Sequence, residues 1–426
     1  MTQEFNPINK IEGTLELPGD KSISHRAVMF ASLAKGKSRI YNLSNGEDVN
    51  STKKCFESLG IKIKKKSNFT EIIGNGYMGL RKSSHDLDAG NSGTTTRLIS
   101  GILVAQNFKS KIIGDESLSK RPMKRIIEPL SLMGGKIQGS ANFTLPIEIF
   151  PVTEIRSINY EMPVASAQVK SAIILAGLHC NGITSITEKI PSRDHTERML
   201  GLKSKIISTG KTVFVSKENY PESNDYFIPS DISTSAFFIV LTLLSKNSQL
   251  KVKNVSLNET RTGILKVLIA MGGKIEIDNI KQSSGEDYGD IIASSSELKN
   301  IVIDQKIIPN IIDEIPILSI AGIFADGKFE IKNASELRGK ETDRIKSICH
   351  NLTNLGLFVE EYEDGFSCSG SISNFYPAFE SFGDHRIAMA FGILSLLLKG
   401  GGKVDNFNCV NISNPNFLTQ LKSIIN

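Results

Sequence analysis

The sequence predicts an α/β protein built from six repeated modules, arranged as two domains of three modules each. The first observation is a short polar cluster that recurs before an apolar, helix-like run, at steps of 65 to 82 residues. The second is a Leu-Gly or Met-Gly pair that recurs in step with the clusters and leads into a β-rich stretch. This period is longer than that of solenoid repeats, so each module should be a small α/β unit.

The six polar clusters predict helix N-termini, because each offers an Asp, Asn or Ser that can cap free backbone N–H groups. They are centred on Asp20, Asn91, Ser166, Asp231, Asp313 and Asp384, and the helical runs after them are 27–33, 97–104, 169–178, 236–244, 317–324 and 387–398. A helix N-terminus presents N–H donors and positive dipole charge, so six converging ends would suit a heavily anionic ligand.

The glycine pairs predict helix C-termini that hand over to strands. They are Leu59-Gly60, Met133-Gly134, Leu200-Gly201, Met271-Gly272 and Leu355-Gly356. A complete module is then strand–helix–strand–helix–strand–strand. The segment 282–290 is polar, contains glycine and falls in the widest step between clusters, so we interpret it as an inserted surface loop.

Composition excludes several classes of protein. Of the 426 residues, 40% are hydrophobic and 22% charged, as in a globular protein, and no apolar run reaches the length of a membrane span. The N-terminus lacks the pattern of a secretory signal, which favours the cytoplasm. The five cysteines and six histidines lack metal-ligand spacing. A net charge of +5 fits an anionic substrate but is too diffuse to indicate nucleic acid.

Several charged residues in the clusters predict chemistry. Lys21 near a helix N-terminus opposes the helix dipole, so its position suggests a functional reason. Ser22 and Arg26 are four residues apart and share one helix face. Arg121 stands before Pro122, which can open a helix, and arginine suits carboxylate or phosphate contacts.

The acidic residues suggest proton transfer. Asp313 and Glu314 are predicted to cap a helix, yet a carboxylate that faces an anionic ligand would be unusual unless it acts as a base. Asp313 and Glu341 are therefore the acid–base candidates. Asp384 is predicted to cap the last of the six helices, with Arg386 pointing outwards.

Seven strings, taken together, resemble those of the 5-enolpyruvylshikimate-3-phosphate synthase family, in its bacterial second-class form. They are PGDKSISHR (18–26), GNSGTTTR (90–97), KRP (120–122), SAQVKSA (166–172), SRDHTE (192–197), KETDR (340–344) and GDHRIAMA (383–390). They follow the family order and span nearly the whole chain.

The resemblance implies the enolpyruvyl transferase fold, an inside-out α/β barrel of two domains with three βαβαββ repeats each. One discontinuous domain would hold 1–19 and 229–426, the other 20–228, with the active site in the cleft between them. It also implies transfer of the enolpyruvyl group of phosphoenolpyruvate to shikimate 3-phosphate through a tetrahedral intermediate. No metal or organic cofactor, no nucleic acid and no membrane partner is implied. The protein is expected to be a monomer in the cytoplasm and to be inhibited by glyphosate.

The resemblance assigns roles to individual residues. Lys21, Asp313 and Glu341 would be catalytic: Lys21 would assist proton transfer between the substrates, Asp313 would take the hydroxyl proton and Glu341 would protonate the methylene carbon. Shikimate 3-phosphate would be bound by Lys21, Ser22, Arg26, Ser166, Gln168, Arg193, Asp313 and Lys340. Phosphoenolpyruvate would be bound by Lys21, Asn91, Gly93, Thr94, Arg121, Gln168, Arg344 and Arg386.

Two positions bear on how far the resemblance extends. Many family members have a lysine where this chain has Ile412, and an isoleucine cannot make the contact of that lysine. Gly93 is the small residue found in glyphosate-sensitive members, whereas some tolerant members carry alanine.

Two alternatives have weaker support. UDP-N-acetylglucosamine enolpyruvyl transferase shares the fold and the donor, but commonly has a cysteine in the loop that corresponds to 114–120, and none is present here. A non-catalytic anion-binding or RNA-end-processing relative would not need Lys21, Asp313 and Glu341, and no basic patch indicates RNA.

Overall fold

The structure is a computed structural model that describes residues Met1–Ile425. The strands are β1 (Gln3–Phe5), β2 (Glu12–Glu16), β3 (Lys35–Tyr41), β4 (Lys62–Lys65), β5 (Phe69–Asn75), β6 (Leu87–Asp88), β7 (Ser110–Ile113), β8 (Lys136–Gln138), β9 (Ile147–Phe150), β10 (Asn159–Glu161), β11 (Thr184–Glu188), β12 (Ser204–Ile207), β13 (Gly210–Val215), β14 (Asp225–Phe227), β15 (Gln249–Ser256), β16 (Lys274–Ser283), β17 (Glu286–Ser294), β18 (Phe329–Ile331), β19 (Phe358–Tyr362), β20 (Gly365–Ser369), β21 (Ala378–Phe379) and β22 (Gly402–Val404). The α-helices are α1 (Lys21–Leu33), α2 (Glu47–Ser58), α3 (Gly93–Leu103), α4 (Glu116–Ser119), α5 (Lys124–Leu132), α6 (Ala167–Gly177), α7 (His195–Leu200), α8 (Ile232–Leu244), α9 (Gly263–Ala270), α10 (Ile308–Ile311), α11 (Ile315–Phe324), α12 (Arg344–Asn354), α13 (His385–Leu397) and α14 (Phe417–Lys422). Short 3₁₀ turns are Lys217–Asn219, Gln305–Ile307, Ser335–Gly339 and Phe407–Ile412.

The chain divides into two compact units, each with its own hydrophobic core. The terminal unit comprises Met1–Pro18, Pro229–Lys281 and Asp287–Asn426, and the inserted unit comprises Gly19–Ile228 and Gln282–Glu286. This division differs from the predicted domain boundaries at Gly19 and at Gln282–Glu286, which both fall in the inserted unit.

Each unit contains three small sheets in the part of the chain described. Those of the inserted unit have the orders β14-β3-β5-β4, β6-β7-β9-β8 and β10-β11-β13-β12. In each of them the first two strands are parallel and the others antiparallel, as a βαβαββ module requires. The terminal unit has β16-β17-β15-β2, β18-β20-β19 and β1-β22-β21. The predicted α/β fold of repeated modules is confirmed.

At the two points where the chain passes from one unit to the other, the strand that precedes a module's first helix pairs with a sheet of the other unit. Strand β2 comes before α1 in the sequence but pairs in parallel with β15 of the terminal unit. Strand β14 comes before α8 but pairs in parallel with β3 of the inserted unit. Each crossing therefore lies between a strand in one unit and the helix that opens a module in the other.

Five of the six predicted clusters cap their helices. Side chains of Asp20, Ser92, Ser166, Asp231 and Asp384 accept backbone N–H bonds in the first turns of α1, α3, α6, α8 and α13. In the second cluster the cap is Ser92 rather than Asn91. The predicted cap at Asp313 and Glu314 is wrong, because helix α11 begins after Glu314 with no side-chain cap bond.

The predicted helix ends are confirmed by backbone geometry. A positive φ stops a helix at low energetic cost when the residue is glycine. All five predicted glycines have a positive φ, namely glycines 60, 134, 201, 272 and 356.

The predicted loop 282–290 is wrong. Strands β16 and β17 form a hairpin here, closed by Ser284 and Gly285 with φ of 50° and 77°. Two positive φ values in a two-residue connection identify a type I′ turn. The predicted loop covers the turn and residues 286–290 of β17, whose sequence EDYGD is polar and contains a glycine although Glu286, Gly289 and Asp290 are buried, so its composition indicated a loop.

No single helix among residues Met1–Ile425 is long and apolar enough to cross a membrane. The pair Gln305–Ile311 and Ile315–Phe324 meets that test only jointly, by length and composition, and it is bent by 117°.

Candidate functional site

The predicted site residues fall into two sets, one in each unit. In the inserted unit, Asp20 caps α1 by accepting the N–H of Ile23 at 2.9 Å, which places Lys21 at the first position of the helix. The Lys21 ammonium lies 2.9 Å from the carboxylate of Asp48 on α2. This acid orients the lysine, and no string in the sequence indicated it.

Arg26 is buried beneath the start of α1. Its guanidinium donates to the carbonyl of Ser22 at 2.9 Å, to Thr196 at 2.7 Å and to Ser171 at 2.8 Å. Burial lowers the pKa of Arg26 to about 10, opposed by nearby carboxylates including Glu197 and reinforced by the positive charge of Arg193. Arg26 and Arg193 therefore lie close enough to repel, and an anion near both would offset that repulsion.

Four of the residues predicted to bind phosphoenolpyruvate form two hydrogen-bonded pairs, Arg121 with Asn91 and Gln168 with Thr94. The Arg121 guanidinium donates to Asn91 at 2.8 Å, and Asn91 donates to Asp115 at 2.6 Å. Gln168 on α6 donates to Thr94 at 3.0 Å and accepts from Arg97 at 2.5 Å. Arg97 was not predicted as a site residue, although it closes the string GNSGTTTR.

Gly93 opens α3 beside these arginines. A Cβ at this position would lie 2.9 Å from a terminal nitrogen of Arg97 and 3.5 Å from one of Arg121. Glycine therefore keeps space next to both guanidinium groups.

Ser166 caps α6 by accepting the N–H of Val169 at 3.4 Å. Arg193 lies in the segment between β11 and α7, next to the buried residues Ser192 and Asp194. The remaining predicted residues lie in the terminal unit.

The centre of the terminal-unit set is Asp313. Its carboxylate lies 3.3 Å from Arg344, 3.8 Å from Arg386, and 3.9 Å from both Lys340 and Arg261. Four cations surround this carboxylate, and Asp313 accepts a charge-assisted hydrogen bond from Arg344 instead of capping the helix.

Arg344 joins the two predicted acid–base residues. It contacts Asp313, and it donates to Glu341 at 2.6 Å and to Asp384 at 2.7 Å. Burial disfavours its charge, but the carboxylates of Asp384, Glu341 and Asp313 outweigh burial and raise the pKa of Arg344 above its ordinary value. Arg344 therefore remains a fixed cation between two acids.

The prediction that Arg386 points outwards is wrong. Its side chain is 9% exposed and donates to the backbone carbonyl of Asp313 at 3.0 Å. The nearby acids hold it inside. Arg261, another member of this set, was missed because no motif surrounds it; it is buried and donates to Ser233 at 2.5 Å.

Two further positions complete the comparison with the sequence. Ile412 is half-buried at the end of the turn Phe407–Ile412, in place of the lysine of many family members. Among residues Met1–Ile425, no group of three His, Cys, Asp or Glu side chains has an arrangement that could hold a metal ion.

The fold and the two residue sets define the class of the protein. It is the class of proteins with the enolpyruvyl transferase fold. A crystal structure of EPSP synthase from Acinetobacter baumannii matches with a TM-score of 0.86 and 37% identity, over 99% of this chain and 98% of that chain. The enolpyruvyl transferase NikO from Streptomyces tendae has the same fold, with a TM-score of 0.75, at only 13% identity and over 99% and 97% of the two chains.

Sequence comparisons define the family. The family model of EPSP synthase (3-phosphoshikimate 1-carboxyvinyltransferase) matches residues 5–421. The 3-phosphoshikimate 1-carboxyvinyltransferases of Petrotoga mobilis and Oceanobacillus iheyensis are 47% and 45% identical, over 98% and 99% of both chains. This chain belongs to the EPSP synthase family.

Proposed function

We propose that this chain is a 3-phosphoshikimate 1-carboxyvinyltransferase, an enzyme of the shikimate pathway to aromatic amino acids. It transfers the enolpyruvyl group of phosphoenolpyruvate to the 5-hydroxyl of shikimate 3-phosphate and releases phosphate. The observation that carries the proposal is the pair of carboxylates, Asp313 and Glu341, which contact the same buried guanidinium of Arg344. The reaction needs one group to remove a proton and another to supply one, and this pair offers both.

The reaction has two balanced steps. In the addition, Asp313 takes the proton of the 5-hydroxyl, the oxygen bonds to C2 of phosphoenolpyruvate, and Glu341 protonates C3 to a methyl group. In the elimination, Glu341 takes one methyl proton back, the bond from C2 to the phosphate oxygen breaks, and the proton held by Asp313 goes to the departing phosphate, which leaves the enol ether. Lys21 assists proton transfer.

The cationic residues serve the two anionic substrates. Arg121, Arg344 and Arg386, with Asn91, Gly93, Thr94 and Gln168, bind phosphoenolpyruvate; Ser22, Arg26, Ser166, Gln168, Arg193 and Lys340 bind shikimate 3-phosphate. The substrates repel each other, and cations that are already fixed in place offset the repulsion without reorganisation during the reaction.

The test is phosphate release from phosphoenolpyruvate and shikimate 3-phosphate without added metal, beside a control with UDP-N-acetylglucosamine. Release only with shikimate 3-phosphate supports the proposal. Release only with the sugar nucleotide assigns the sister activity, and release with neither leaves a binding protein. We favour the first result because the loop 114–120 lacks the cysteine common in the sister family.

We also propose that glyphosate inhibits this enzyme by competing with phosphoenolpyruvate. The space at Gly93 supports this, because an alanine methyl group would lie 2.9 Å from the Arg97 guanidinium and in contact with that of Arg121 at 3.5 Å. Initial rates over a grid of both concentrations should show the apparent KM for phosphoenolpyruvate rising with glyphosate. Inhibition that phosphoenolpyruvate cannot relieve would contradict competition.

We further propose that the enzyme is a cytoplasmic monomer. Its cysteines are all free thiols, four of them buried, which suits a reducing compartment. Sedimentation at several concentrations tests the monomer, and a mass twice that of one chain would contradict it.

A further inference from the structure

A buried charge cluster in the inserted unit has no role in the assignments above. Lys170, the fourth residue of α6, is fully buried, and its ammonium lies 2.6 Å from Glu188 and 2.7 Å from Glu197. Lys170 belongs to the string SAQVKSA and Glu197 to the string SRDHTE. The structure thus brings together one unassigned charged residue from each of two motifs.

The cluster holds the residue immediately before Arg193. Glu188 accepts hydrogen bonds from the backbone N–H of Ser192 at 3.3 Å and from its hydroxyl. The Lys170 ammonium donates to the carbonyl of Ser192 at 3.4 Å. The N–H, hydroxyl and carbonyl of one residue are therefore fixed by two side chains, and this leaves the next residue, Arg193, little freedom of position.

The same cluster borders Arg26. Glu197 favours the charged form of Arg26, and the neighbouring Thr196 accepts from the Arg26 guanidinium at 2.7 Å. Ser171, the residue after Lys170, accepts from Arg26 as well, at 2.8 Å, and lies 2.6 Å from the Thr196 hydroxyl. Arg26 is thus held by Thr196 and Ser171, whereas the hydrogen bonds of Lys170 and Glu188 are to Ser192, next to Arg193.

Stability alone is a poor reason for such a cluster. Burying three charges carries a large desolvation penalty, and apolar residues of similar volume are often as stable or more stable. A buried ionic network that hydrogen-bonds the N–H, hydroxyl and carbonyl of Ser192 suits a positioning role for the loop that carries Arg193.

We infer that Lys170 and Glu188 are positioning residues that fix Arg193 for the phosphate group of shikimate 3-phosphate. This inference rests on the proposed function of Arg193. The cluster acts on ligand binding through Ser192 and does not touch the substrate. It should therefore affect recognition of the phosphate and leave use of the shikimate ring and of phosphoenolpyruvate nearly unchanged.

The experiment measures the Kd of shikimate 3-phosphate and of unphosphorylated shikimate by calorimetry, together with KM for phosphoenolpyruvate. The variants are Lys170→Met, Glu188→Gln and, as a reference for the lost phosphate contact, Arg193→Ala. The matched control is Lys189→Met, on the same segment but exposed and paired with Glu161 at 3.1 Å.

We expect the Kd of shikimate 3-phosphate to rise about tenfold or more in both cluster variants, with Kd for shikimate and KM for phosphoenolpyruvate within about threefold. Equal weakening of both ligands, or no weakening while Arg193→Ala weakens the phosphorylated ligand, would overturn the inference. So would an Arg193→Ala protein with unchanged affinity.

A double variant covers the case in which a single variant fails to fold. Lys170→Met with Glu188→Gln removes one charge of each sign, so it should fold better than Lys170→Met alone, which leaves both Glu188 and Glu197 without the ammonium; Glu188→Gln alone keeps the Lys170–Glu197 pair. Retained weak binding of shikimate 3-phosphate in this protein supports positioning, and restored binding refutes it. Calorimetry does not need turnover, so a wild-type protein that binds without reacting fails only the proposed function, whereas one that binds no shikimate 3-phosphate fails both.

Discussion

At the scale of single residues, Asp313 is the most direct test of the mechanism. Asp313→Asn removes the base but leaves Arg344 paired with Glu341 and Asp384, so the protein should still fold. We expect kcat to fall by about 10²- to 10⁴-fold, the usual contribution of a general base. Steady-state rates of phosphate release measure this, with the exposed Glu297→Gln as control. A kcat within about threefold of wild type would exclude Asp313 as the base.

The second residue-scale prediction concerns pH. Burial lowers the pKa of His179 to about 4, although its hydrogen bonds to the backbone of Leu175 and Ala176 oppose this. A histidine in an unfolded chain titrates near pH 6.5. Between these values the unfolded state binds a proton that the folded state does not, so stability falls as pH falls.

The loss should be at most about 1.4 kcal/mol per pH unit from this residue, and should level off below pH 4. His179→Phe keeps a ring against Tyr77 and Tyr220 and should reduce that slope. Urea unfolding at pH 7.5 and 5.5 measures it, with the exposed His350→Phe as control. Burial also lowers the pKa of His25, so His25 contributes its own loss of stability at low pH equally in wild type and in both variants. An unchanged slope in His179→Phe would show that His179 is not its source.

At the scale of elements, the turn of the β16–β17 hairpin depends on Gly285. Its φ is 77°, and a Cβ there would lie 2.4 Å from the backbone carbonyl oxygen of Arg198. Gly285→Ala should therefore lower the free energy of unfolding by about 2 kcal/mol, from left-handed strain and the clash together.

Urea denaturation measures the change at Gly285. Gly339→Ala is the control, since a Cβ at that position has no described atom within 4 Å. A loss at Gly285 no larger than at Gly339 would mean that the hairpin tip shifts to admit the methyl group.

The helices were predictable because their signals are local. Asp20 caps a helix through an N–H three residues away, and Gly60 stops one through its own φ, so residue type and spacing suffice. The hairpin was missed because its turn and residues 286–290 of β17 are polar and contain glycines, which is the composition of a loop.

The site was predictable only where a motif carries it. Asp313 was misassigned as a cap because its cationic neighbours come from positions 261, 340, 344 and 386, and no local pattern connects them. Arg261 lies outside every motif, and Asp48 carries no signal beyond its charge. Resemblance supplied roles for residues, but not the contacts that orient them.

At the scale of the whole molecule, the proposed substrate residues are divided between the two units. Arg193 belongs to the inserted unit and Lys340 to the terminal unit, and both are proposed to bind shikimate 3-phosphate. Two cations that serve one ligand should not act independently, because loss of the first changes where the ligand lies for the second.

A double-mutant cycle tests this shared role. We expect Arg193→Ala and Lys340→Met each to raise the Kd of shikimate 3-phosphate about tenfold or more. The double variant should depart from the product of the two effects by a coupling energy of at least about 0.5 kcal/mol. Calorimetry at one fixed salt concentration is required, because screening alone changes the attraction of a phosphate to exposed lysines.

The control cycle pairs Arg193→Ala with Lys299→Met, an exposed lysine of the terminal unit without a proposed role. In this control cycle, the change in Kd of the double variant should equal the product of the changes in the two single variants. Multiplication in the Arg193–Lys340 cycle as well would mean that the two cations do not share a ligand, and Lys340 would then need another role, such as orienting Asp313, from which it lies 3.9 Å. Coupling confined to the Arg193–Lys340 cycle would show that Arg193 and Lys340 act on the same bound shikimate 3-phosphate, as their proposed roles require.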